Sequence, residues 1–239
     1  MPSITLYQDT TAGFGASPLT TGALTAPASG NSWVVLFGHS SLTVAQYATL
    51  VVSDNQGNTY VKDAELLSGG NPLYQIWRCH NITNAPTTLT ATWTGGGDTN
   101  AYFHVHECTG LANSAPTVPA QTGAFSATTV SSFSPASANM LLLGFMYHNG
   151  TFSSVTGVNR RGATTLNDLA YLDSTGAMGA RDYGETLTAS ASWEQIFAFY
   201  TEAAGRPPIG SSQFSPTNPQ FLAGIAVTRA ELLNPKAWF

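Results

Sequence analysis

The densest chemistry in this chain is His104-Val105-His106. On a strand, residues i and i+2 project to one face, so both imidazoles could reach one metal ion. Zinc or iron would then need at least a third ligand. Glu107 falls on the opposite face, so that ligand would have to come from His39, His80 or His148 on other strands. Five histidines in 239 residues produce such a pair readily by chance. The reading adopted is therefore two histidines on the polar face of a strand, with no metal and no cofactor assigned.

The other reactive residues support catalysis no better. Gly38-His39-Ser40-Ser41 and Gly210-Ser211-Ser212 lack the G-x-S-x-G frame of a nucleophile elbow. Glycoside cleavage needs two acids facing each other across a cleft. Asp54, Asp63, Glu65, Asp168, Asp173, Asp182 and Glu185 read as turn or strand-flanking residues, which leaves Glu107 as the one acid in a groove-like position. Gly95-Gly96-Gly97 reads as a hairpin turn, because no helix follows to receive a phosphate. Asp54, Asn55 and Asn58 have oxygens suited to calcium, but such residues more often satisfy a turn's own backbone. Cys79 and Cys108 would lie about 9–10 Å apart in a simple meander, beyond the roughly 7 Å disulfide limit. A jelly roll could make them neighbours. A cytoplasmic origin favours thiols, so reduced cysteines are expected. Of the five tryptophans, Trp33 reads as core, and Trp93 and Trp193 as equivalent strand ends. Trp77, in a mixed strand, is the one placed to stack on a sugar.

The elements that must position these residues are strands. Trp33 to Phe37 is a short apolar run of the kind buried on both faces. Tyr74 to Cys79, Leu89 to Trp93, Tyr102 to Cys108, Met140 to His148, Glu185 to Trp193, Gln195 to Thr201 and Phe221 to Val227 continue the series. Turn clusters such as Asp54-Asn55-Gln56-Gly57-Asn58 and Gly69-Gly70-Asn71-Pro72 separate them. No helical period persists for three turns, and the best helix candidate is Arg229 to Leu233. The class is all-β, with the strand spacing of a two-layer antiparallel sandwich or jelly roll. A weak duplication runs through it. Asn31 to His39 is echoed by Asn139 to His148, and Thr88 to Trp93 by Thr186 to Trp193. Neither half obviously closes its own core. One sandwich domain is therefore expected over 1–204, with pseudo-repeats at about 31–110 and 139–204.

Composition narrows the function. Only 9% of residues are charged against 43% hydrophobic and 11% aromatic; an average soluble domain has about 25% charged. Disorder is excluded, since disordered chains combine high charge with few aromatics. Two lysines, six arginines and a net charge of −5 argue against nucleic acid. No leader and no membrane span is evident, so a soluble chain made in a cytoplasm is expected. The remainder, 205–239, changes character: Arg206-Pro207-Pro208 breaks the chain, and Phe214, Phe221, Trp238 and Phe239 follow with little charge. Such a segment either packs back on its own sandwich or docks on a neighbour as an arm.

The order of segments resembles a group of concanavalin-like or jelly-roll β-sandwich domains common in bacteriophage virion proteins and bacterial surface proteins. The matching features are the Gly30-to-Phe37 strand, the Asp54-Asn55-Gln56-Gly57-Asn58-Thr59-Tyr60 turn and the Gln75-Ile76-Trp77-Arg78 strand. His106-Glu107-Cys108-Thr109-Gly110-Leu111 and Ala138-Asn139-Met140-Leu141-Leu142 complete them. The resemblance covers about Trp33 to Ala204 and implies a structural or adhesive module without shared catalytic residues. The chain departs from it in its histidines, its cysteines and its Pro-rich extension. The expectation is a non-enzymatic virion protein, best a capsid decoration or cement protein. Its partner would be the major capsid protein or another virion protein, in a symmetric homo-oligomer such as a trimer. Arg206, Pro207, Pro208, Phe214, Phe221, Trp238 and Phe239 would form the contact. The alternative is a carbohydrate- or receptor-binding module of a phage tail or bacterial surface.

Overall fold

In the computed structural model the described residues are 5–39, 43–66, 73–95, 101–118, 120–128, 131–133, 139–148, 152–156, 159–161, 170–177 and 181–203. They belong to one compact unit, Pro2–Ala203. The first half runs β1 (Thr5–Gly15), β2 (Leu19–Thr20), β3 (Ser32–His39), a single helical turn α1 (Val44–Tyr47) and β4 (Val51–Asp54). It continues with β5 (Val61–Leu66), β6 (Leu73–Cys79), β7 (Leu89–Thr92) and β8 (Ala101–Thr109). The second half contains β9 (Ala120–Thr128), β10 (Ser131–Phe133), β11 (Asn139–His148), β12 (Phe152–Thr156), β13 (Asn159–Arg161), β14 (Ala170–Ala177) and β15 (Arg181–Thr201). Every paired strand is antiparallel, so the all-β class holds.

The duplication extends to strand order. In the first half β8-β3-β6-β5 are adjacent; in the second, β15-β11-β14-β13 are. β7 lies between β2 and β4 in a separate three-stranded sheet. Its counterpart is the beginning of β15, where Tyr183 pairs with Ser131 of β10, Thr186 with Thr128 of β9, and Leu187 with Phe152 of β12. Two strands expected as separate, Glu185 to Trp193 and Gln195 to Thr201, are therefore one continuous β15. Its first part pairs with β9, β10 and β12 and, from Trp193 on, it lies beside β11, all within one seven-stranded sheet.

Two apolar clusters hold these sheets together. Trp33, Val35 and Phe37 of β3 join Leu19, Val52, Leu89, Ala91 and Trp93 in a core that, among the described residues, is drawn wholly from the first half. Contrary to expectation, that half does close a core of its own. The alternate residues Val34 and Leu36 point the other way and meet Leu141 and Leu143 of β11 and Ile196, Ala198 and Tyr200 of β15. A two-layer body accounts for the first cluster alone; the large sheet of the first half has apolar partners on both faces. That is why Trp33 to Phe37 reads as a continuous apolar run instead of an alternating one.

Two local features fix the geometry. In α1, Thr43 accepts from the Gln46 amide while the Gln46 side chain reaches back to the Thr43 N–H, a capping box on a four-residue helix. In β11, a Cβ on Gly144 would collide with the Phe197 ring and the Ile196 carbonyl. Only glycine allows β11 and β15 to pack so closely there.

Candidate functional site

His104 and His106 project from β8 to one face, as the i, i+2 spacing requires, with ring centroids 4.5 Å apart. That face is not polar. His104 is opposite Leu36 and His106 opposite Val34, on the side where the two halves meet, and the residues are 1% and 0% exposed. The expectation of a polar strand face is corrected accordingly. Among the described residues no group of three or more His, Cys, Asp or Glu is arranged to hold a metal ion. His80 is instead engaged with Ser32, its Nδ1 lying 3.1 Å from Oγ. Burial, helped by Arg78, lowers the pKa of His80. Ser32 is itself buried and accepts the Asn81 N–H, so this Ser–His contact ties down the turn after β6.

The most elaborate polar cluster was not singled out from sequence. In the β5–β6 pairing the register shifts between Lys62 and Ala64, leaving Asp63 as an extra residue. Such a bulge re-aims a side chain, and here it turns Asp63 inward. Arg78 Nε lies 3.0 Å from Asp63 Oδ2, with the two side chains 7% and 2% exposed. Tyr200 of β15 donates to the same oxygen at 2.9 Å, and Arg78 Nη1 donates to the Ala112 carbonyl at 3.2 Å. The guanidinium also lies over the Tyr200 ring, 5.8 Å from its centroid. Burial pushes the Asp63 carboxyl above its ordinary range, against the opposing pull of Arg78 and Tyr200. Burial first, and Asp63 second, hold the Tyr200 phenol well above its usual value. The cluster joins the first half to the second. Arg78, the one charged residue of β6, was the available signal; Asp63, between Lys62 and Ala64 in a charged strand, gave none.

The remaining acids are likewise committed to the fold. Asp54 Oδ1 accepts the N–H groups of Gln56 and Asn58, at 2.8 and 3.1 Å. Its Oδ2 accepts from Asn58 Nδ2 at 2.8 Å and from the Tyr60 hydroxyl at 2.9 Å. Four donors on one carboxylate make the Asp54-to-Tyr60 turn a self-satisfied unit, the ordinary alternative to calcium. Glu107 lies on the face away from the histidines and holds the approach to β3, accepting from Ala28 N at 3.1 Å and from Asn31 Nδ2. The cysteines flank β3, Cys79 opposite Trp33 and Cys108 opposite Ser32. They belong to the two different clusters, hence to opposite faces of the sheet, and neither is in a disulfide.

Of the tryptophans, Trp33 and Trp93 are buried, whereas Trp77 only leans on the first core. Its Nε1 donates to Gln75 Oε1 at 2.8 Å. Opposite Trp77 in the sheet is Lys62, and opposite Gln75 is Glu65; these two exposed residues form an ion pair with each other. The Trp193 side chain, and Arg206, Pro207, Pro208, Phe214, Phe221, Trp238 and Phe239, lie outside the described residues, as does the helix expected at Arg229 to Leu233. The compact unit ends at Ala203, one residue short of the expected boundary. Compared with known proteins, the chain matches no family model, no curated protein and no solved structure.

Proposed function

We propose that this chain is a non-enzymatic structural component of a bacteriophage particle, a capsid decoration or cement protein assembled in the bacterial host cytoplasm. The observation that carries the reading is the use made of its buried acids. Asp54, Asp63 and Glu107, the described acids with the most elaborate surroundings, each bind donors of the protein's own framework. Such a framework suits bearing load better than turning over a substrate. The duplicated strand order supports the same reading, since the two halves brace each other through a shared apolar layer and the Asp63–Arg78–Tyr200 cluster.

The contact with the particle is assigned to the segment beyond Ala203. Arg206-Pro207-Pro208 and the aromatic residues Phe214, Phe221, Trp238 and Phe239 would be buried on the major capsid protein or another virion protein. Apolar burial at about 25 cal/mol per Å² gives a contact that salt does not weaken. A homo-oligomer matched to the lattice symmetry, such as a trimer, fits this role. The test is sedimentation of the purified chain with particles at low and high salt. Retention at both supports the proposal; failure to co-sediment at either removes it.

A further inference from the structure

We infer that the face of β5 and β6 around Trp77 is a saccharide-binding shelf, a second binding surface built from residues of the compact unit Pro2–Ala203. Trp77 and Gln75 project from β6 to the same side, and their direct opposites on β5, Lys62 and Glu65, share that side. Lys62 and Glu65 are three apart, a spacing that on a regular strand would put them on opposite faces. The extra residue Asp63 between them reverses that, which is how they come to pair beside Trp77. One bulge thus does two things: it sends Asp63 inward to Arg78 and brings an ammonium and a carboxylate to the indole.

The shelf is also ordered before any ligand arrives. The Trp77 N–H is held by Gln75 Oε1, and Gln75, itself 1% exposed, donates to the Tyr47 carbonyl at 3.4 Å. With its N–H internally satisfied and the ring packed in part on the first core, the half-buried indole is held in place. Lys62 and Glu65 keep 35% and 40% of their side chains exposed. Directly opposite strand residues have Cβ atoms about 5 Å apart, roughly the width of a pyranose ring. The C–H face of a neutral hexopyranoside would stack on Trp77 while its hydroxyls donate to Glu65 and accept from Lys62. Aromatic side chains with one apolar face and a satisfied polar edge suit such contacts.

The test uses the full chain on an array of bacterial capsular and cell-wall polysaccharides, with cello-, chito- and malto-hexaoses as soluble probes read by tryptophan fluorescence. Retention of at least one saccharide is expected, with Trp77→Ala weakening it by roughly 30-fold, the loss typical of a central aromatic anchor. Because Trp77 leans on the core, Glu65→Ala and Lys62→Ala serve as exposed variants that leave the unfolding midpoint unchanged; each should weaken binding several-fold. Loss of particle binding with saccharide binding intact would count against the structural proposal and not against the shelf. No retained saccharide, or binding indifferent to Trp77→Ala and to both charge variants, overturns the inference.

Discussion

Replacing Arg78 with methionine isolates the electrostatic joint between the two halves. The substitution keeps an apolar stem of similar reach but leaves Asp63, whose side chain is 2% exposed, without its ion-pair partner. Breaking a buried pair from one side costs about 3–5 kcal/mol, because the surviving charge stays desolvated. The lost bond to the Ala112 carbonyl adds about 1 kcal/mol. For a body of this size each kcal/mol corresponds to about 2–4 °C, so calorimetry should show a midpoint lower by roughly 10 °C or more. The pH dependence is diagnostic. The folded-state pKa of Asp63 is raised, so its contribution favours the fold below the unfolded pKa and is lost as pH rises through the folded value. In Arg78→Met the deficit should therefore shrink as pH is lowered toward about 4. Adding Asp63→Leu and Tyr200→Phe, so that no charge or hydroxyl is left stranded, should recover most of the loss. A single variant that loses less than about 1 kcal/mol, or a triple variant no better than the single, would refute the argument.

Two further outcomes follow from packing. Gly144→Ala should destabilise by about 1–3 kcal/mol in urea titrations, because the new methyl meets the Ile196 backbone as well as the Phe197 ring; an unchanged midpoint would mean that β11 and β15 can separate at little cost. Burial pushes the Cys79 thiol up to about 11 and the residue is 3% exposed. It should therefore resist a thiol reagent at neutral pH until the protein is unfolded, whereas rapid labelling of the native chain would show an open core.

Periodicity made the strands with strong apolar or alternating patterns legible: β3, β6, β7, β8 and β11 lie where the residues suggested. Strands such as β9, β12 and β14, rich in Ala, Ser, Thr and Gly, carry too little contrast between their faces to stand out. The capping box of α1 is present as Thr43-Val44-Ala45-Gln46, but with only one turn after it no helical period marks it out. The duplication was visible in two strand echoes, but not its consequence, a layer shared between two similar halves, because periodicity reports burial and not what does the burying. The bulge at Asp63 was invisible for a different reason. Its extra residue is defined only against the register of β6, and that register depends on the whole sheet. With it went the Asp63–Arg78–Tyr200 cluster and the pairing of Lys62 with Glu65 beside Trp77.

The low charge takes on a more specific meaning in this light. Lysines and bulges normally protect strand edges, and β5, the end strand of its sheet, carries both in Lys62 and Asp63. On this end strand Lys62 and Glu65 keep their charges exposed, and assembly is assigned to the aromatic, Pro-rich segment beyond the compact unit. The direct measurement is quantitative binding to particles of the whole chain and of a chain ending at Ala204. The account predicts that the whole chain saturates particle sites at both low and high salt, while the shortened chain keeps its unfolding midpoint and stays in the supernatant. A shortened chain that binds as well as the whole one would contradict it.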